Sequence, residues 1–220
     1  MEAMSALDWL FLEVETDVSH MHLGAVAVFE GPPPSYSELA GLVAGRLPAL
    51  ERYRQRVRFV PLDLGRPVWV TDPRFDLGYH LRHAALPYPG GNAELRRLVA
   101  GVMGLPLDRA RPLWEMWLIE GLADQRWGLL CKLHHCMVDG VAAGEVLAVL
   151  LDLEPRQSEP LDDRWLPVPA PSTARLLAHT LRGRPLDPRR HLRAVGGLAR
   201  DPRSLARLDL AVGTESGRLQ

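Results

Sequence analysis

The chain has 220 residues, 47% of them hydrophobic and 24% charged, which is typical of a globular domain large enough to bury a core. A formal net charge of -1 gives no general attraction for phosphates, so nucleic acid is excluded as an expected partner. The two cysteines, Cys131 and Cys136, are too few for a disulfide framework and lack CxxC spacing, which favours a reducing, cytoplasmic setting.

The N-terminal segment gives no indication of export. Residues 1–8 are acidic and apolar and lack the positively charged start of a secretory signal. Charged residues or prolines interrupt every apolar stretch before it reaches the roughly 18 residues that a membrane span requires. Contact with a membrane is therefore expected only at its surface.

The first half of the chain alternates between strand and helix patterns. Residues 21–29 form a valine-rich apolar run that predicts a buried strand. Residues 37–50 carry leucines at helical spacing behind a cap at Ser35 or Ser37 and predict a helix. Two short runs, 56–60 and 67–70, flank a turn containing Gly65 and predict a hairpin.

A second set of elements leads to the most informative segment. Residues 92–105 predict a helix with Leu95, Leu98, Val99 and Val102 on its apolar face. Residues 114–119 and 127–133 are bulky and mostly apolar, which predicts two strands joined by a turn near Gly121 and Asp124. Residues 141–153 predict an apolar helix that ends before Pro155.

The composition changes after residue 154. Five prolines fall between residues 155 and 171 and predict a linker. Residues 172–220 contain ten arginines against four acidic residues, so this tail is basic. We therefore predict three parts: a domain at 1–154, a proline-rich linker at 155–171 and a basic, partly helical connector at 172–220.

The run His134-His135-Cys136-Met137-Val138-Asp139-Gly140 lies at the predicted strand-to-helix junction. Transfer of an acyl group to a hydroxyl requires a base with a pKa near neutrality, and histidine has one. An aspartate four residues later can orient the loop and the imidazole, and a following glycine leaves room for a substrate. His135, Asp139 and Gly140 provide these groups, and His134 supports the geometry.

Three other interpretations of the run stay open. Two adjacent histidines are often polar residues that cap a strand. Histidine and aspartate also bind metals, but neighbouring side chains on a strand point to opposite faces, which disfavours chelation, so no metal is expected. Cys136 could be a thiol nucleophile, although neighbours in sequence seldom reach the required geometry. His20, His22, His80 and His83 lack comparable spacing and are interpreted as structural or surface residues.

The run resembles the HHxxxDG signature of the CoA-dependent acyltransferase superfamily. Four further segments narrow the resemblance: MSALDWLFL, MHLGAVAVFEG, FDLGYHLRH and PLDRARPLWEMWLIEGL. Together with HHCMVDG, they are similar to the bacterial wax ester synthase/diacylglycerol acyltransferase family. The resemblance implies an α/β fold like one half of chloramphenicol acetyltransferase, a mixed β-sheet flanked by helices.

The resemblance also implies an activity and its residues. Family members transfer a fatty acyl group from acyl-CoA, a co-substrate, to diacylglycerol or a long-chain alcohol, without a bound cofactor. The second histidine of the pair is their base, which corresponds to His135. The family's Pro-Leu-Trp motif corresponds to Pro112, Leu113 and Trp114, for which ordinary core packing beside the site is the expected role.

Family members are about twice as long as this chain, which matches their first half. A second acyltransferase half or a homodimer is therefore an expected partner, since an isolated half would expose apolar surface and its base. The alternative is a noncatalytic remnant that binds lipid or a partner; amide-forming condensation is a third interpretation. The basic tail suggests either a connector to the missing half or a segment for an anionic membrane or lipid-droplet surface.

Overall fold

The computed structural model describes residues 1–61, 64–137, 165–166 and 168–182. In chain order the helices and strands are β1 Glu2–Ala3, α1 Ala6–Val14, β2 His22–Glu30, α2 Tyr36–Arg46, β3 Gln55–Arg58, β4 Val68–Thr71, α3 Leu77–His80, β5 Leu81–Ala85, α4 Asn92–Met103, β6 Trp114–Leu122, β7 Arg126–His134 and α5 Thr173–Arg182. Short 3-10 helices occupy Leu47–Ala49, Glu51–Arg54 and His135–Met137. The predicted α/β class is confirmed.

A four-stranded mixed sheet with the order β2-β7-β6-β5 forms the centre of the fold. β7 is antiparallel to both β2 and β6, whereas β5 and β6 are parallel. β6 and β7 meet through a turn in which Asp124 and Gln125 have φ of 61° and 52°. Three residues, 123–125, join the paired residues Leu122 and Arg126, so the predicted turn is confirmed.

Both faces of this sheet are covered, because alternate side chains of β6 and β7 enter different clusters. Leu118 and Leu129 belong to the larger core, which also contains residues of α1, α2 and the second sheet. Ile119 and Leu130 pack on the other face with the predicted apolar side of α4, residues Leu95, Leu98, Val99 and Val102. The sheet is thus flanked by helices, as expected.

Lys132, the chain's only lysine, extends from β7 to the C-terminal end of α4. Its side chain is fully buried, and Nζ donates to the carbonyl oxygens of Val102, at 2.7 Å, and Leu105. Burial lowers the pKa of this lysine. A cation at the C-terminal end of a helix satisfies carbonyls that have no partner within the helix.

The second sheet has the order β1-β4-β3 and contains the predicted hairpin, with Gln55 opposite Thr71. α2 begins at the predicted cap, where Ser35 and Glu38 form a reciprocal capping box. It ends at Arg46 rather than residue 50. The cause is Pro48, which lacks an N–H and opens the 3-10 helix Leu47–Ala49.

Several predicted parts lie outside the described residues: the helix at 141–153, most of the linker and the tail beyond Arg182. Within the tail, α5 is helical, and Leu176 packs on Val68 and Val70 of β4. The boundaries at residues 154 and 171 stay predictions. Among the described residues, no helix is long and apolar enough to cross a bilayer.

Candidate active site

The histidine pair lies where β7 ends, as predicted. His134 is the last residue of the strand, and His135 begins the 3-10 helix His135–Met137. The His134 N–H donates to the carbonyl of Leu113 at 2.9 Å, and the His135 N–H donates to the carbonyl of Met21 at 2.8 Å. Backbone on both sides of β7 therefore fixes the pair.

His135 is half-buried, and its imidazole stacks on the ring of Phe11 in α1. The ring centroids are 3.8 Å apart, and the planes are inclined by 23°. Its Nδ1 atom is buried and has no hydrogen-bond partner among the described residues. The imidazole is thus held in place by packing, and one ring nitrogen has no partner in the described part of the chain.

His134 is fully buried, and its ring is committed to internal contacts. Its Nδ1 accepts a hydrogen bond from the backbone N–H of Cys136 at 3.1 Å, which assigns the proton to Nε2. Nε2 lies 3.5 Å from Oε2 of Glu15. Burial lowers the pKa of His134 to about 4, with the Glu15 charge opposing that effect. A fully buried, neutral ring whose Nδ1 is bonded to the backbone supports geometry better than it accepts a substrate proton.

Glu15, which directly follows α1, lies at the centre of this network. Arg109 donates to Oε2 through Nη2 at 2.7 Å and Nε at 3.2 Å, and the Met21 N–H donates to Oε1 at 3.2 Å. Burial by itself raises the pKa of Glu15, but the Arg109 hydrogen bonds and the other donors outweigh it and leave the pKa below its usual value. The group is a carboxylate at neutral pH.

His20 and His22 lie beside the same carboxylate. His20 Nδ1 is 3.8 Å and His22 Nε2 is 3.2 Å from Oε1 of Glu15. The His22 side chain is 1% exposed, so its placement agrees with a structural role. These three residues are the group of His, Cys, Asp and Glu side chains in the described chain whose donor atoms approach closely enough to share a metal ion.

The Pro-Leu-Trp motif forms a wall next to the pair. Pro112, Leu113 and Trp114 are buried, and the Leu113 carbonyl is the acceptor for His134. Trp114 Nε1 donates to the Tyr53 carbonyl at 2.8 Å, and the indole stacks on His80 with centroids 4.5 Å apart. The motif packs in the core and, through one carbonyl, also fixes the backbone of the site.

The structure describes Cys136 but not Asp139 and Gly140, the remaining residues of the predicted site. Cys136 is buried, and burial raises the pKa of its thiol far above the usual value, which argues against the thiolate alternative. Asp139 and Gly140 lie outside the described residues, so their supporting roles stay predictions.

Sequence reasoning missed Phe11, Glu15 and Arg109. Phe11 and Arg109 lie inside segments that carry the family resemblance, but no local pattern marks them as site residues. Arg109 and Glu15 are 94 residues apart in the chain. Their pairing depends on the tertiary fold, so a single sequence offers no spacing signal for it.

The fold is shared with known acyl-transferring and condensation domains. It matches the wax ester synthase/diacylglycerol acyltransferase of Marinobacter aquaeolei VT8 with a TM-score of 0.58 and 37% identity, over 66% of this chain and 37% of the other. The first condensation domain of the calcium-dependent antibiotic synthetase matches with a TM-score of 0.56 over 68% of this chain and 38% of the other; at 18% identity it shows the fold alone.

The family follows from the sequence match. The model of the wax ester synthase/diacylglycerol acyltransferase catalytic domain matches residues 4–218, and the chain belongs to this family. The resemblance stated above is thereby confirmed.

Two relatives from Mycobacterium tuberculosis H37Rv show how much of the family's length is present. The probable diacylglycerol O-acyltransferase tgs1 is 50% identical over 154 residues, covering 69% of this chain and 33% of the relative. The probable diacylglycerol O-acyltransferase tgs3 is 40% identical over 195 residues, covering 88% of this chain and 72% of the relative. The chain thus spans a third of the length of tgs1.

Proposed function

We propose that this chain takes part in O-acyl transfer from a fatty acyl-CoA to diacylglycerol or a long-chain alcohol, with His135 as the general base. The observation that carries the proposal is the contrast within the histidine pair. His134 is fully buried, its Nδ1 accepts from the Cys136 N–H, and its Nε2 faces the Glu15 carboxylate at 3.5 Å. His135 is only half-buried and is held by stacking on Phe11, and its Nδ1 has no partner among the described residues. Family membership and the names of the relatives support the reaction class.

The reaction needs one group that first accepts a proton and then returns it. The imidazole of His135 takes the proton of the acceptor hydroxyl as that oxygen attacks the thioester carbonyl. The tetrahedral intermediate then collapses, the carbon–sulfur bond breaks, and the departing CoA sulfur receives the proton from the imidazolium. Asp139 and Gly140 are proposed to orient the loop and keep the approach open, in keeping with the sequence prediction.

The partners in this proposal are those that the chemistry requires. Acyl-CoA is the co-substrate and the acceptor is a lipid hydroxyl. Because the chain spans a third of the length of tgs1, a second acyltransferase half or another copy of the chain is proposed to complete the substrate tunnel. The arginine-rich segment 172–220 is proposed to join that half or to rest on a cytoplasmic membrane or lipid-droplet surface.

An acyl-transfer assay tests the assignment. The purified chain is incubated with palmitoyl-CoA and either diacylglycerol or hexadecanol, and ester and free CoA are both measured. We expect His135→Ala to lose about 100-fold or more of the rate. The matched control is His83→Ala, since His83 lies half-exposed on β5 and pairs with Glu120 at 2.9 Å. Equal ester formation by wild type and His135→Ala would overturn the role of His135.

A second candidate is a noncatalytic lipid-binding protein. It predicts saturable binding of palmitoyl-CoA or diacylglycerol with no ester or CoA release, and equal binding by His135→Ala. Ester formation that depends on His135 would exclude this candidate.

A further inference from the structure

Three donor groups converge where α1 ends and β2 begins. Glu15 follows the last residue of α1, His22 is the first residue of β2, and His20 lies two residues before it. One donor atom from each residue lies within 4.8 Å of the other two. His22 Nε2 and His20 Nδ1 are 3.2 Å and 3.8 Å from the same carboxylate oxygen, Oε1 of Glu15.

The unpartnered ring of His22 indicates that a ligand is missing. Its side chain is 1% exposed, and neither ring nitrogen has a hydrogen-bond partner among the described residues. The short approach of Nε2 to Glu15 lacks the alignment of a hydrogen bond. Buried polar atoms nearly always have partners, so a buried imidazole aimed at a carboxylate without one calls for an explanation.

The surroundings orient these donors. Arg109 binds Oε2 of Glu15, whereas Oε1 accepts from the Met21 N–H at 3.2 Å and also faces the two histidines. The rings of His20 and His22 are nearly parallel, inclined by 12° with centroids 5.1 Å apart. The neighbouring cations are already engaged, since Arg109 pairs with Oε2 and Lys132 donates to carbonyls at the end of α4.

We propose that Glu15, His20 and His22 form a binding site for a divalent transition-metal ion such as Zn²⁺. Two imidazole nitrogens and one carboxylate oxygen are ligands that Zn²⁺ accepts, with water at the fourth tetrahedral position. Zinc–ligand bonds of about 2 Å require donor separations near 3.3 Å. The His22–Glu15 separation of 3.2 Å already fits, whereas the His20–Glu15 separation of 3.8 Å and the His20–His22 separation, within 4.8 Å, have to be brought to that value when the ion binds.

The site shares Glu15 with the network around His134, but ion binding there does not depend on the proposed acyl transfer. The bound ion would tie the end of α1 to the start of β2, next to His134, whose ring lies 6.0 Å from that of His22. An ion that binds only the folded chain stabilises it. The site is therefore testable by binding and by thermal unfolding, without an activity assay.

The test titrates Zn²⁺ alone into the chelator-treated full chain by isothermal calorimetry. The main variant is His20→Ala, because His20 is more exposed than His22 and its loss should spare the fold. We expect one Zn²⁺ per chain for the wild type, and affinity lower by about tenfold or more in His20→Ala. His83→Ala is the matched control, because His83 also pairs with a glutamate but has no third donor nearby in the described part of the chain.

Thermal unfolding provides the second measurement. Zn²⁺ should raise the Tm of the wild type and of His83→Ala, and leave that of His20→Ala unchanged. His22→Ala should behave like His20→Ala. Absence of saturable binding by the wild type, or equal binding and equal Tm shifts in the wild type and His20→Ala, would overturn the proposal.

Discussion

The imidazole of His135 stacks on the phenyl ring of Phe11, with centroids 3.8 Å apart. This contact connects α1 to the 3-10 helix at the end of β7. It positions the proposed base from a part of the chain more than a hundred residues away. The ring of Phe11 is therefore expected to affect the rate of acyl transfer as well as stability.

Replacing Phe11 by Leu keeps an apolar side chain but removes the flat face on which His135 rests. We expect kcat to fall about tenfold, because a base displaced by a fraction of an ångström loses much of its efficiency. Leu10→Ala on the same helix is the control, since Leu10 is about half exposed. The stacking would have no positioning role if Phe11→Leu and Leu10→Ala reduced kcat equally.

The Arg109–Glu15 pair gives a prediction about stability. Arg109→Lys keeps the charge but loses the two hydrogen bonds that converge on Oε2 and the bond to the Leu12 carbonyl. Because the Arg109 side chain is 39% exposed, we expect a loss of only about 1–2 kcal/mol in the free energy of unfolding.

Urea denaturation measures this loss. Arg97→Lys is the control, because Arg97 is 74% exposed and lies 3.9 Å from Glu94. It should change stability by a few tenths of a kcal/mol at most. A smaller loss in Arg109→Lys than in Arg97→Lys would contradict the central role of Glu15.

Two tryptophans of β6 allow a matched comparison. Trp114 donates to a buried backbone carbonyl, that of Tyr53, whereas Trp117 donates to the side chain of Glu115, which water can also satisfy. Phenylalanine at position 114 leaves that carbonyl without a donor, so Trp114→Phe should cost about 1–3 kcal/mol of unfolding free energy. Trp117→Phe should cost less. Denaturant titration of both variants checks the order, and the reverse order would refute this explanation.

The sequence was sufficient to predict the elements whose signals are local. The turn between β6 and β7 and the cap of α2 each depend on a few adjacent residues, and both agree with the structure. α1 was not predicted, because apolar residues occur all around residues 6–12 and leave no helical stripe. β5 was missed because its parallel partner β6 is reached only through a crossover that includes α4.

The residues of the candidate site also fall into two groups, those marked by a local motif and those brought together by the fold. His134 and His135 could be found because they are adjacent in a motif, and the end of β7 is where the motif placed them. Glu15 and Arg109 come together only because α1 packs beside the end of β7, a long-range relationship that no spacing in the sequence encodes. Tertiary packing thus adds the residues that support the pair.

The buried imidazole of His80 gives a prediction about how the free energy of unfolding depends on pH. Its side chain is 1% exposed, and Nδ1 lies 2.8 Å from the Trp114 carbonyl, a contact in which the ring N–H donates. Burial lowers the pKa of His80, the Trp114 hydrogen bond opposes this, and the nearby charges of Arg111, Asp72 and Arg82 partly offset one another. The folded chain therefore holds this imidazole neutral under conditions in which the unfolded chain protonates it.

The sign follows from that difference. Above about pH 6.5 neither state binds the proton and His80 contributes no pH dependence. As the pH falls below that value the unfolded state gains a proton first, so stability falls, by at most about 1.4 kcal/mol per pH unit. His80→Asn can keep a donor to the Trp114 carbonyl but does not titrate. Urea denaturation between pH 8 and about pH 5 should give a shallower decline for this variant than for the wild type, even if its stability at pH 8 is lower because it loses the stacking on Trp114. An equal slope in both proteins would show that His80 is not a source of the acid sensitivity.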